Sequence, residues 1–171
     1  GGDGLVTVDP ELVFNTPGWD DELIAEVGGN VSIENSVAVF GNVVYFANSG
    51  GLIQGWDISG LKSGIDPTRV FRFWTGDDSG ATLVIDDEGM IYAGVEYERG
   101  NARSQEVGQI IKLDPSKPDD PQVWGVAQRP RLDSGIWATP GLYEDLLIVP
   151  TNSGDVLGLD TATGEERWRV E

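Results

Sequence analysis

Apolar residues along this chain come in short runs separated by turn residues, and the same order recurs. The clearest copy lies at the end. Residues 146–150 form an apolar run, 151–154 (Thr-Asn-Ser-Gly) a turn, 155–160 a second run, 161–164 (Thr-Ala-Thr-Gly) a second turn, and 165–170 an alternating strand. With a preceding strand at 137–142, the pattern predicts four strands joined by tight turns. Upstream, the run 43–47 is followed by the turn 48–51 and the run 52–57, and 90–94 leads through a longer loop to 108–114. At the start, 4–9 reads as the third strand of a partial unit.

Each third strand closes on an aspartate: Asp9, Asp57, Asp114 and Asp160, spaced by 48, 57 and 46 residues. Allowing for loop growth, this brackets the roughly 40–50 residues of one propeller blade. The expected fold is therefore all-β, a β-propeller of four-stranded antiparallel blades, with about three and a half blades present. The divisions fall at 1–35 (a partial blade of outer strands and a connection), 36–78, 79–133 (with a long loop between second and third strands) and 134–171.

The residue chemistry at each position fits. The second strands are continuous apolar runs, as expected of strands covered on both faces. An Asp ending the third strand can accept hydrogen bonds from backbone N–H groups two residues on and so start a turn. Gly164 supplies a positive φ that side chains resist. In the fourth strand Glu166, Trp168 and Val170 point one way and Arg167 and Arg169 the other, with Trp168 as the large buried anchor. Trp124 and Trp74 follow Asp114 and Asp57 in the same order, which predicts equivalent anchors. Trp56 takes the place of Leu113 and Leu159.

The stretch 154–169 resembles the pyrroloquinoline-quinone (PQQ) repeat: a strand ending in Asp, a turn closing with Gly, and an outer strand carrying Trp. The resemblance covers residues 36–171 and is best in the last unit. In the earlier two the final turn lacks its Gly: Asp57-Ile58-Ser59-Gly60 runs into an insertion at 61–69, and Asp114-Pro115-Ser116-Lys117-Pro118 is Pro-rich. The resemblance implies a propeller and a location outside the cytoplasm, because outer-membrane assembly lipoproteins and secreted quinoproteins share such repeats. Quinoprotein dehydrogenases use PQQ with calcium, but they need a large closed ring and usually a cysteine pair beside the quinone. This chain has no Cys and fewer than four blades. No cofactor is expected; PQQ and calcium belong to the alternative reading.

Charge narrows the partners. The 29 acidic and 11 basic residues give a net charge of -18, which repels nucleic acid and anionic lipid. The absence of His and Cys removes His- and Cys-based catalysis and ordinary zinc sites. No run approaches the roughly 18 apolar residues of a membrane span. Gly1-Gly2-Asp3-Gly4 is unlike a natural start, so the chain reads as a piece of something longer.

The connections entering each blade carry Glu34-Asn35, Asp78-Ser79-Gly80 and Asp133-Ser134-Gly135, the last followed by Trp137. The latter two read as one position in successive blades, ringing the mouth of a central channel. A polar ligand or a cation could sit there; turn chemistry is the plainer and preferred reading. Asp86-Asp87-Glu88-Gly89 reads as a hairpin turn, because the next strand arrives too soon for a calcium loop. Asp20-Asp21 and Asp119-Asp120 read as solvated loop charges. The expectation is a non-enzymatic binding or interaction scaffold that pairs with a protein partner or with its remaining blades. A piece of a PQQ/calcium-dependent dehydrogenase and a carbohydrate binder using Trp137 are the alternatives.

Overall fold

A computed structural model describes residues 9–171. Its body is three four-stranded antiparallel sheets, each a simple meander in chain order. The first contains β1 (Ala38–Phe40), β2 (Val43–Phe46), β3 (Leu52–Asp57) and β4 (Thr68–Trp74). The second begins with β5 (Val84–Ile85) and β6 (Ile91–Gly94). The chain then makes an excursion through β7 (Glu96–Tyr97) and α2 (Ala102–Val107), and returns as β8 (Ile110–Leu113) and β9 (Gln122–Val126). A short strand, β10 (Ser134–Gly135), leads into the third sheet and pairs with β7. That sheet is β11 (Gly141–Tyr143), β12 (Leu146–Pro150), β13 (Val156–Asp160) and β14 (Glu166–Val170). Its first strand is shorter than the 137–142 expected, since Pro140 has no amide proton to give to a ladder.

The sheets stack face against face. Tyr45, Ile53 and Phe71 of the first pack on Ile91, Ala93, Ile111 and Leu113 of the second. Tyr92 and Ile110 on the opposite face of the second pack on Leu147, Val149, Leu157 and Leu159 of the third. A middle sheet buried on both sides has no polar face, which is why β6 and β8 are nearly unbroken apolar runs. At the inner edge, the Ser36 N–H donates to Thr82 Oγ1 (3.2 Å) and the Thr82 N–H to Thr139 Oγ1 (3.1 Å). One contact thus ties each blade to the next.

The turn aspartates behave as their chemistry dictates. Asp57, Asp114 and Asp160 accept from the N–H groups of Ser59 (2.8 Å), Ser116 (3.0 Å) and Ala162 (2.9 Å). Each blade also carries a bulge just before its aspartate, at Gly55/Trp56, Lys112/Leu113 and Gly158/Leu159. Asp86 organises the predicted hairpin turn by accepting from Glu88 and Met90 N–H groups and from the Tyr92 hydroxyl.

The register corrects one anchor. Gly158 faces Trp168 and Lys112 faces Trp124, so the counterpart in the first blade is Phe71, which faces Gly55. Trp74 instead lies opposite Leu52 at the far end of β4 and donates Nε1–H to the Gly50 carbonyl (3.0 Å). The cause is the insertion after Asp57, which includes the 3-10 turn Leu61–Ser63. It displaces the fourth strand, so counting to the next Trp overshoots.

Trp124 is a true anchor. Its indole donates to the Thr161 carbonyl of the third blade (3.1 Å). Its ring lies so close to Gly164 that a Cβ there would sit 2.9 Å from Cδ2. Gly164 is needed twice, for that approach and for its φ of 76°. Trp168 lies over its own Gly158 but stays 37 % exposed. The buried anchor expected there is half open because no further sheet covers it among the described residues.

Residues 9–35 hold no strand; the strand expected at 4–9 lies outside the described residues except for Asp9. Instead α1 (Asp21–Val27) covers part of the outer face of the first sheet. Leu23 is buried, the Phe14 ring meets Trp56 at 6.1 Å, and the Gly18 carbonyl accepts from Asn48 (2.6 Å) and Gln54 (2.8 Å). Asp20, expected to be a solvated charge, caps α1 through the Leu23 N–H (2.9 Å) and binds Arg69 (2.7 Å) and Arg72 (2.8 Å). The Arg72 guanidinium beside it holds its carboxyl well below the usual carboxylate range.

Candidate functional site

One backbone bond recurs where each blade begins. The N–H five residues past the start of the second strand's apolar core returns to the connection entering the blade: Ser49 to the Ser32 carbonyl (2.9 Å), Glu96 to Asp78 (2.8 Å) and Asn152 to Gly135 (3.0 Å). These pairs are structural equivalents. The counterpart of Asp78 is therefore Gly135, not Asp133. The connection into the third blade places both Asp133 (φ 62°) and Gly135 (φ 91°) in the left-handed region, and this shifts the sequence alignment by two.

In the first and third blades neutral groups satisfy this position. The Ser32 N–H and hydroxyl both bond the Ser49 hydroxyl (2.9 and 3.2 Å), and the Asn152 amide donates to the Asp133 carbonyl (2.5 Å). In the middle blade the same two positions are carboxylates, Asp78 and Glu96. Acidic oxygens of Asp78, Glu96 and Glu98 lie within 4.8 Å of one another.

The other predicted residues divide clearly. Asn35 is structural, its amide donating to the carbonyls of Ala47 (3.2 Å) and Ser79 (2.8 Å). Ser79 is buried, with its hydroxyl 3.3 Å from that of Thr75. Ser134 is buried and donates to the Arg131 carbonyl. Glu34 is exposed and accepts from Ser32 (2.5 Å). Asp133 and Trp137 are exposed, Trp137 at 47 %, and neither side chain hydrogen-bonds to the Asp78 group. Glu96 and Glu98 fall in the long loop that the sequence predicts between the second and third strands of 79–133. The five-residue offset from Val44 to Ser49, Ile91 to Glu96 and Leu147 to Asn152 would have singled out Glu96.

β7 brings the two connections together: Glu96 bonds Asp78 through its N–H and pairs with Gly135 in the short ladder. The fully buried neighbour Asp77 is satisfied by the N–H groups of Arg99 (3.0 Å) and Gly100 (3.0 Å) and by the Arg99 guanidinium (3.6 Å). Asp78 and Glu96 are not. Burial, reinforced by Glu34, pushes the Asp78 carboxyl up to about 6. Burial, reinforced by Asp78, pushes Glu96 up to about 8.

Both shifts are upward, so the unfolded chain releases these protons more readily than the folded one. The stability they contribute is complete below about pH 4 and is lost as pH rises through 6 and 8. In metal-free buffer the Tm is expected to fall between pH 5 and pH 9 by about 5 °C or more. Glu96→Gln should flatten that slope. Thermal melts across pH check it, and an equal slope in the variant would count against this assignment. Asp20 contributes in the opposite sense, but its stabilisation is lost only on acidification below the ordinary carboxylate range.

No protein-family model matches the chain, and no curated protein matches it in sequence. Solved structures do match. BamB from Moraxella catarrhalis superposes with a TM-score of 0.59 at 20% identity, over 83% of this chain and 37% of its own. The quinohemoprotein alcohol dehydrogenase of Comamonas testosteroni gives 0.60 at 18% identity, over 81% of this chain and 21% of its own. The computationally designed protein Ika4 gives 0.59 at 14%, over 90% and 81%. The chain thus spans little more than a third of BamB and about a fifth of the dehydrogenase. Three four-stranded sheets packed face against face, the Asp and Gly turns, the docked Trp124 and these superpositions agree: the chain has the fold of a β-propeller, with three blades among the described residues forming an open arc.

Proposed function

We propose that this chain is a non-enzymatic interaction scaffold whose third blade receives a further blade of the same kind, supplied by the rest of a longer propeller or by a partner protein. The observation that carries this is the bare face of the third sheet. Tyr143, Ile148, Val156, Trp168 and Val170 share one side of it by register, and Tyr143, Trp168 and Val170 are exposed. In the middle blade the same side carries Tyr92, Lys112 and Trp124. There Trp124 and Lys112 both donate to the Thr161 carbonyl of the next blade (3.1 and 3.0 Å). Trp168 repeats Trp124 in register without a turn to dock on. Contiguous exposed apolar residues of this kind mark contact surfaces.

A location outside the cytoplasm goes with this reading, supported by the likeness to BamB and the quinohemoprotein dehydrogenase. Among the described residues no helix is long and apolar enough to cross a membrane. The test is hydroxyl-radical footprinting of Trp168. Labelling is expected to be heavy in this chain alone and strongly suppressed in the longer parent or in the partner complex. Equal labelling in every assembly would refute the docking role. Titration with PQQ in the presence of calcium, followed by quinone fluorescence, should show no stoichiometric binding of the quinone; tight quinone binding would instead favour the dehydrogenase reading.

A further inference from the structure

We propose that Asp78, Glu96 and Glu98 hold a calcium ion, which clamps the excursion between β6 and β8 to the connection entering the middle blade. A group of acidic residues alone is weak ground, since exposed carboxylates often cluster without a ligand. Here two further observations point to one. Glu96 is only 9 % exposed, and its carboxylate has no hydrogen-bond donor among the described residues. The Asp78 Oδ1 atom is fully buried and likewise unpartnered. Both oxygens face the same small space beside Gly80, where a Cβ would lie 2.9 Å from Glu96 Oε1 and 4.0 Å from Asp78 Oδ1. A buried polar atom such as Asp78 Oδ1 is almost always satisfied, and two adjacent carboxylates can supply each other with at most a shared proton.

The internal repeat sharpens the case. The fold does not require charge at these positions, because Ser32 with Ser49 and Gly135 with Asn152 fill them with neutral, hydrogen-bonded groups. Only the middle blade has carboxylates there, and only that blade adds Glu98 beside them. Arg99 offsets part of the Asp78 charge, but its guanidinium is engaged with Asp77 (3.6 Å) and the Ser49 carbonyl (2.9 Å) and bonds neither Asp78 nor Glu96. Glu34 and Asp77 deepen the negative potential.

The donor set is all oxygen, which selects a hard cation over zinc or copper. Ligand atoms within 4.8 Å of one another suit Ca–O distances of about 2.3–2.6 Å, and calcium tolerates the irregular geometry of a loop and takes waters in its remaining positions. The ion would join β7 to the connection bearing Asp78. It would thereby fix the one excursion that spans from the middle blade to the entrance of the third.

The experiment uses the metal-free chain, titrated with calcium chloride by calorimetry and in thermal melts. One site per chain is expected, with Tm raised by about 5–10 °C at roughly a hundredfold excess over Kd. Glu96→Gln keeps the side-chain shape and removes the ionisable carboxyl that is costly to bury without a cation. It should therefore raise the metal-free Tm while abolishing the calcium response, and Asp78→Asn should abolish that response too. This pairing separates a ligand from a merely structural residue, whose loss would lower stability without touching calcium dependence. No binding heat and no Tm shift in the unaltered chain would overturn the site. So would a calcium response that survives undiminished in both variants.

Discussion

Leu23→Ala is expected to destabilise the chain by about 2–5 kcal/mol, lowering Tm by roughly 5–15 °C. Leu23 is 1 % exposed and fills the space above Gly50, where a Cβ would lie 2.9 Å from its Cδ2. It is the buried residue of α1, a helix of seven residues that is far too short to hold itself in water. Its helical form depends on docking to the first sheet. Asp20→Ala attacks the same segment electrostatically, removing the cap on the Leu23 N–H and the shared partner of Arg69 and Arg72. A smaller loss of about 1–3 kcal/mol is expected there. In both variants hydrogen exchange should rise first in residues 14–33 and in the outer face of β3 and β4. A Leu23→Ala protein that melts like the unaltered chain would show that this segment is not part of the folded unit.

Trp124→Ala and Trp168→Ala should differ sharply although the two residues share one register position. Trp124 bridges two blades, with its ring on Gly164 and its N–H on the Thr161 carbonyl. Its removal is expected to cost about 3–5 kcal/mol. Trp168 touches only its own blade and leaves 37 % of its surface in water, so its removal should cost less than about 1 kcal/mol in this chain. Urea unfolding of the two variants checks the comparison. Equal losses would mean that the indole stabilises each blade from within rather than joining neighbours.

Much of the fold was legible because turn chemistry is local. Asp57, Asp114 and Asp160 mark the ends of third strands through bonds to N–H groups two residues away, and no distant contact is needed to make that signal. Trp74 departs from its expected place for the opposite reason. Its equivalence to Trp124 depends on strand register, and the insertion at 61–69, which holds the 3-10 turn Leu61–Ser63, changes the count without changing the pattern. α1 left a trace in the sequence, an Asp followed by an acidic first turn, which is an N-cap signature. It was hidden because seven residues carry little periodicity and its stability comes from the sheet below it. The carboxylate site was half visible. Asp78 was found as a connection residue, but its partner Glu96 lies 18 positions on. They meet only through a backbone bond that recurs in every blade.

The unequal ends of the arc bear on how copies of this chain behave when crowded. A repeat stack with two bare, complementary ends would add subunits head to tail without limit and form fibres. Among the described residues α1 covers part of one end, pinned by Leu23 and the Asp20 carboxylate, while the indole face at the other is bare. Two copies meeting at the bare Trp168 face would offer each other like surfaces, so association through that face would pair them rather than extend a stack.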